Sequence, residues 1–257
     1  MRRTNGYGGN GKGLPALVAL GATGQAGTHE ERMRSDVVKV GAVAALLYAA
    51  RRYFRDWGTT KAESASHLPG DGLVHPPVLQ ATEAVSIEAP AESTWPWLVQ
   101  MGQDRGGLYS YERLENTLGL RYRNADQVHD EWQHLAVGDP VRLAPKGWLW
   151  LEDGIEMRVA ELVEGKTVVL FAEPPGVPWT MVWSFHLMPR GVDRCRLLIR
   201  SRLGLRHPGE VMLAELFGPA RAMLTRGMLL GIKRRAESHR QAGAAAAPAS
   251  AEVHRVG

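Results

Sequence analysis

Between residues 155 and 202 the chain alternates in character. In "WTMVWSFHL" (179–187) the residues Trp179, Met181, Trp183, Phe185 and Leu187 share one face, with Thr180, Ser184 and His186 opposite. In "RCRLLIRSR" (194–202) Cys195, Leu197 and Ile199 face one way and Arg194, Arg196, Arg200 and Arg202 the other. "IEMRV" from residue 155 alternates likewise. A period of two predicts antiparallel strands with one apolar and one wet face. Turn signals at Asp153-Gly154, Glu164-Gly165-Lys166 and Arg190-Gly191 separate the runs. Val85/Ile87, Val141/Leu143 and 167–172 bring the expected count to six or seven strands.

Two short helices, about 90–101 and 110–118, are expected after the first strand. Pro90 suits the entry of the first helix, and Pro96 bends or shortens it. Ser110 reads as the cap of the second, and Gly119 as its stop. A long helix over about 209–237 closes the pattern, bent at Gly218-Pro219. Beyond the bend Ala220, Met223, Leu224, Gly227, Met228 and Gly231 form a one-sided stripe. The simplest packing lays that stripe on the apolar faces of 179–187 and 194–202.

The flanks read differently. Residues 1–35 are Gly-rich without sustained period and are expected to be disordered. In "VVKVGAVAALLYAARRYFR" the uncharged run Val40 to Ala50 spans roughly 17 Å as helix, against ~30 Å for a bilayer core. Residues 36–57 therefore read as an amphipathic lead-in or a membrane-surface anchor of a cytoplasmic protein, with Arg51, Arg52, Arg55 and Trp57 at its end. Residues 58–77 read as a linker, 78–240 as the folded domain, and 241–257 as a disordered Ala/Pro-rich tail.

The whole chain, 257 residues with 44% hydrophobic and 23% charged, has globular composition. Its net charge of +4 comes from the first sixty residues, which hold nine Lys/Arg and four acids. The remainder is electrostatically ordinary, so nucleic acid is not an expected partner. Cys195 is the only cysteine, which excludes an internal disulfide and four-cysteine zinc sites.

The order of elements, together with "APAESTWPWLVQMGQDRGGLYSYERLENTLGL", "VGDPVRLAP" and "RGMLLGIKRRAE", resembles the SRPBCC superfamily over about 80–238. Those are START-like and polyketide-cyclase-like proteins. A weaker likeness to bacterial members reaches upstream to "WGTT" and "LPGD". The resemblance implies an α+β helix-grip fold, a curved antiparallel sheet wrapped around a long C-terminal helix. It also implies an apolar cavity between the two that takes lipids, polyketides or aromatic molecules. No catalytic residue carries over from it, and no cofactor is expected.

On this reading the cavity is lined by Trp179, Met181, Trp183, Phe185, Leu197, Ile199, Met223, Leu224 and Met228, which would equally make an ordinary core. The hinge "GQDRGG" (102–107) lacks phosphate-cradle spacing and joins helix to helix. It reads as a corner, or as a cavity rim at which Gln103, Tyr109 and Tyr111 meet a ligand's polar end. In "HDEWQH" the histidines 129 and 134 stand five apart with no third ligand near, so no metal is expected. His186 faces away from the tryptophans and reads as structural or exposed; Cys195 reads as inert core. The function expected is binding or transport of a hydrophobic small molecule. The alternative is a cyclase, dehydratase or hydrolase using Glu112, Asp126 or Tyr109 as its acid or base.

Overall fold

The structure, a computed structural model, describes residues 22–54, 56–148, 151–174, 179–205 and 207–246. Residues through Ala49 form one unit and those from Ala50 onward another. In the first lies most of α1 (Ala22–Phe54), so 22–35 are helical where disorder was expected; residues 1–21 lie outside the described residues. Val37, Val38, Val40, Val43 and Leu46 of α1 are exposed. Among the described residues no helix is long and apolar enough to cross a membrane.

The second unit is built on six antiparallel strands: β1 (Leu79–Ile87), β2 (Pro140–Ala144), β3 (Ile155–Val163), β4 (Thr167–Ala172), β5 (Trp179–Pro189) and β6 (Cys195–Leu205). Their order across the sheet is β1-β6-β5-β4-β3-β2. A short helix, α2 (Lys61–Ala65), precedes β1, and α3 (Ala91–Val99) and α4 (Glu112–Thr117) run between β1 and β2. After β6 come α5 (Pro208–Leu216) and α6 (Gly218–Ala246), divided at Phe217 beside the expected Gly-Pro break. A curved antiparallel sheet gripping a long C-terminal helix is the helix-grip fold that the resemblance implies, and its strands are the ones the alternation predicts. Of the expected tail, 241–246 continue α6, and 247–257 lie outside the described residues.

Alternation places the side chains as expected. Phe185, Leu187, Cys195, Leu197 and Ile199 face inward and join Met157, Val168 and Leu170 with Trp97 and Leu98 of α3 in one core. The face of α6 that meets this core is Met228, Leu229, Ile232 and Ala236. It is rotated from the expected stripe, for two reasons visible on the helix. Met223 points to solvent at 36% exposure. Gly227 and Gly231 turn toward the loop before α4: a Cβ on Gly227 would stand 2.6 Å from the Tyr111 ring, and one on Gly231 would overlap the Tyr109 carbonyl.

Two expectations fail on the outer face. The arginines of β6 do not simply solvate an open sheet, and 58–77 is not a linker. Residues 56–74 fold back over that face and bury Leu68 against Ala84 and Leu198, and Val74 against Val169 and Val182. The Trp57 carbonyl accepts from Ala84 N at 3.0 Å and Asp56 Oδ1 from Thr82 N at 3.0 Å, so the free edge of β1 is covered. Thr60 caps α2 in a reciprocal box with Glu63, whose carboxylate also takes a two-pronged contact from Arg196 at 3.0 and 2.9 Å. That Arg196 fork, with the Thr60 backbone, holds the Glu63 carboxyl down at about 2.

At the centre of this cover Asp71 meets Arg200 at 2.7 Å and Arg202 at 2.9 Å, all three below a tenth exposed. Arg200 also donates to the carbonyls of Glu63, Ser64 and Ser66 and to Thr82 Oγ1. Burial works to raise the Asp71 carboxyl, but the Leu68 N–H and the two guanidiniums outweigh it and leave it below the usual Asp range. Removing one member of a buried ion cluster strands the others, which costs about 3–5 kcal/mol. Asp71→Ala is therefore expected to lower the unfolding free energy by about 3 kcal/mol or more, read from urea denaturation at pH 7. The Asp71 contribution is whole above the ordinary Asp range and is lost as pH falls through its depressed folded value. The difference between wild type and variant is thus expected to shrink in strong acid. Equal midpoints at pH 7 would show the cover to be dispensable.

Candidate functional site

The grip is packed solid through its middle. Ile87, Leu98, Tyr109, Met157, Leu170, Phe185, Leu197, Ile199 and Met228 are all fully buried there. Space opens instead at one end, where β1 and β5 begin, β6 finishes, and α5 turns into α6. That cavity measures about 250 Å³. Its floor is Leu79 and Ala81 of β1, Ser201 and Leu203 of β6 and Met181 of β5. Its roof is Ala214 and Glu215 of α5, Phe217 at the elbow, and Gly218, Pro219, Arg221 and Ala222 of α6, with Gln80 and Arg202 also on its wall.

Strand register explains the layering. Leu79 pairs with Leu203, and Leu203 with Met181, forming the first inward-facing row that spans all three strands. Ala81–Ser201–Trp183 is the next row, and Glu83–Ile199–Phe185 the one behind it. Short side chains at 81 and 201 leave room above the floor. Ala222 across from them adds no bulk.

The third row holds a carboxylate where alternation demands an apolar group. Glu83 is 0% exposed. Arg221 Nη1 donates to Ser201 Oγ at 3.0 Å and lies 3.4 Å from Glu83 Oε1. Glu83 Oε2 is buried without a hydrogen-bond partner. Burial pushes this carboxyl up to about 7; the Arg221 charge opposes the rise and the Asp56 charge adds to it. Glu83 thus stands near the balance of protonated and ionised forms at neutral pH, one row behind the cavity floor.

Of the residues expected to line a cavity, Met181 does. Phe185, Leu197, Ile199 and Met228 are buried in the core, and Trp179 and Trp183 pack against it half-buried. Leu224 is half-buried and Met223 exposed. None of Gln103, Tyr109 and Tyr111 borders the cavity. They belong to a corner: Gly102 and Gly107 bond each other's backbone at 3.0 Å both ways, and Arg105 clamps the Val99 and Trp132 carbonyls at 2.9 and 2.8 Å. Gln103 is buried, its side chain donating to the Leu120 carbonyl at 2.9 Å. Tyr109, 1% exposed, sits edge-on to Trp97 at 5.8 Å and under Arg235, and burial raises its phenol.

The three acid/base candidates also lie elsewhere. Glu112 Oε2 accepts from Asn124 N at 2.8 Å, a loop-closing contact. Asp126 is surface-exposed, 2.9 Å from Arg235, on a wider polar recess at the far end of α6 with Trp97 and His239. His186 is buried on the outer face, where burial and the Arg200 charge hold it down at about 4. Cys195 is buried in the core beside Thr94 Oγ1, and burial raises its thiol. Among the described residues no three His, Cys, Asp or Glu side chains cluster to hold a metal.

Glu83 and Arg221 escaped the sequence reading, although a signal was present. Leu79, Ala81, Glu83, Val85 and Ile87 alternate, so a carboxylate on an apolar face was readable once β1 was extended back from Val85.

No family model matches the chain, and no curated protein does. Solved structures are similar in outline. A truncated norcoclaurine synthase from Thalictrum flavum shares 14% identity at TM-score 0.38, over 61% of this chain and 91% of that one. A protein from Thermobifida fusca shares 16% at TM-score 0.41, over 62% and 93%. The Zhui aromatase/cyclase from Streptomyces sp. R1128 shares 14% at TM-score 0.39, over 64% and 97%. No residue role is transferred from any of them.

Glu83 supports a direct prediction. A carboxyl raised from 4.5 to about 7 favours folding in its protonated form, a contribution whole below 4.5 and lost as pH rises through 7. Glu83→Gln mimics that form. The variant is expected to be more stable than wild type by about 3 kcal/mol at pH 8, the gain vanishing toward pH 4.5. Parallel stability curves across that range, from denaturant titrations at several pH values, would sink the assignment.

Proposed function

We propose that the chain binds a small hydrophobic molecule in the cavity at the α5–α6 elbow, within a unit that runs from about residue 56 to residue 240. The observation that carries this reading is the cavity itself, about 250 Å³, walled mostly by apolar side chains, with Arg202, Glu215 and Arg221 among its polar lining. Such composition is that of a ligand site, in which apolar area supplies affinity and a few polar groups orient the guest. The cyclase, dehydratase or hydrolase alternative draws no support from Glu112, Asp126 or Tyr109 at this cavity, whose wall carries the Glu215 carboxylate instead.

Phe217 offers a clean test because it lines the cavity yet is 64% exposed. Phe217→Asp is expected to leave stability within about 0.5 kcal/mol of wild type while weakening binding of 2-methoxynaphthalene at least five-fold. Fluorescence titration of the full chain reads the second effect and thermal unfolding the first. Native mass spectrometry of freshly purified protein gives an independent check through any co-purified apolar passenger. Unchanged affinity in the variant would move the site elsewhere.

The surface-anchor reading of 36–57 belongs to the same proposal. Its support is the exposure of Val37, Val40, Val43 and Leu46 on α1, ahead of the basic pair Arg51 and Arg52. Flotation with anionic phospholipid vesicles is expected to carry the full chain upward, and a Val40→Asp/Val43→Asp/Leu46→Asp variant to stay behind. Equal flotation of the two would remove the anchor.

A further inference from the structure

Arg221 belongs to two neighbourhoods at once. It is part of the cavity wall, and behind that wall its Nη1 donates to Ser201 Oγ at 3.0 Å and lies 3.4 Å from Glu83 Oε1. Glu83 is not on the wall: it is 0% exposed, and its second oxygen is enclosed without a hydrogen-bond partner. A guest in the cavity therefore meets the guanidinium and not the carboxyl. With 41% of its side chain exposed, Arg221 keeps much of its water while the cavity is empty of a guest.

The other charges around the pair have their own places. On the wall, Arg202 sends its guanidinium to Asp71 on the outer face at 2.9 Å, and Glu215 stands on the α5 part of the roof. On the strand beside Glu83, Arg200 also points outward, to Asp71 at 2.7 Å. Five residues along α6 from Arg221, Arg226 lies over the Trp57 ring at 4.7 Å. Asp56 comes from the segment that covers the β1 edge. Burial raises the Glu83 carboxyl to about 7, the Arg221 charge opposes the rise, and the Asp56 charge adds to it. Arg221 is the charged lining residue in contact with Glu83.

An apolar guest strips water from the groups it touches. Glu83 has no exposed surface to lose, whereas Arg221 does. A lone guanidinium is costly to dry, because its charge loses hydration with nothing in return. A guanidinium beside an ionised carboxylate is a neutral pair, and its attraction strengthens as water leaves. The occupied cavity therefore favours the ionised form of Glu83. We propose that guest binding at the elbow cavity is coupled to release of a proton from Glu83 to solvent, transmitted through Arg221, so that an apolar guest is held more tightly in alkaline than in acidic solution. Glu83 acts here as a positioning residue that never touches the guest. The coupling rests on the elbow cavity being the ligand site.

The experiment titrates the full chain with 2-methoxynaphthalene, which has no group that ionises, at pH 6 and at pH 8, followed by calorimetry. Those limits bracket the Glu83 carboxyl at about 7. If the ionised form binds about ten-fold better than the protonated one, wild type binds about five-fold more tightly at pH 8 than at pH 6. Glu83→Gln, fixed in the neutral form, is expected to bind equally at both, near the weaker wild-type value. Arg221→Gln, at a half-exposed position, is expected to be equally flat, because the transmitting charge is gone. Glu215→Gln is expected to keep the dependence on pH whatever it does to the affinity. Equal or tighter wild-type binding at pH 6 would overturn the coupling and leave the apolar site standing. A slope that persists in Glu83→Gln would also overturn it, by assigning the proton to another group. Absence of binding at both pH values would overturn coupling and site together. The wild-type comparison decides the sign even where a variant fails to fold.

Discussion

The close contact of α6 with the Tyr109–Tyr111 loop governs what the rest of the grip can do. At Gly231 the helix backbone meets the Tyr109 carbonyl with no room for a Cβ, and at Gly227 it meets the Tyr111 ring. Absence of side chains on that side lets the loop press the helix onto the sheet, so that Met228, Leu229, Ile232 and Ala236 seat in the core. The loop can press because it is itself tied down, by the paired Gly102–Gly107 backbone and by Arg105 on the Val99 and Trp132 carbonyls. Upstream of Gly227 that clamp ends. The first turns of α6 then bridge to α5 through Phe217, and the space beneath them is the cavity. The location of the candidate site is therefore a consequence of where the clamp stops.

The strands beneath the cavity serve two faces at once. Arg200 and Arg202 of β6 point outward to Asp71, while Ile199, Ser201 and Leu203 between and beside them point inward to the core and the cavity. β1 does the same, with Thr82 receiving Arg200 on the outside and Glu83 meeting Arg221 on the inside. The outer ion cluster is enclosed, with Asp71 between two guanidiniums and Arg200 donating to three carbonyls, which makes a buried charge tolerable even with Asp71 Oδ1 lacking a hydrogen-bond partner. The inner pair is held only by the long Arg221 contact, and Glu83 Oε2 is left without a hydrogen-bond partner. Two acids are thus buried on opposite faces of one sheet, and the inner one is the less completely compensated.

Much of this architecture was legible because alternation is a local property. The faces of β5 and β6, the Pro90 entry, the Gly-Pro break near 218 and the inert placement of Cys195 all follow from neighbours a few residues apart. Features that depend on long-range contact were not legible. The stripe on α6 includes Gly227 and Gly231 as if they were apolar core positions, but their meaning lies in a loop more than a hundred residues upstream. Residues 58–77 look like a linker because Gly, Pro and Ser are turn chemistry, yet Leu68, Asp71 and Val74 are spaced to cover one face of a sheet that local pattern cannot display. The arginines of β6 look solvated for the same reason. The expected cavity between sheet and helix is found at one end of α6, with Met157, Leu170 and Tyr109 buried in the core beyond it.

Glu83 combines the local and the long-range case. Its row in the sheet was predictable from β1 alone, but its partner lies 138 residues later on a helix whose orientation had to be known. An acid in that row would ordinarily give way to an aliphatic residue, since burial alone drives its carboxyl toward neutrality. Arg221 does not relieve it fully at 3.4 Å, and Asp56, held against the β1 edge by its bond to Thr82 N, makes matters worse. The segment that protects the strand edge on one side thus adds to the electrostatic burden on the other. Destabilising groups that survive beside a cavity are where binding and stability pull apart. The outer cluster holds the cover in place, and the inner carboxyl is the group whose burial the fold compensates least.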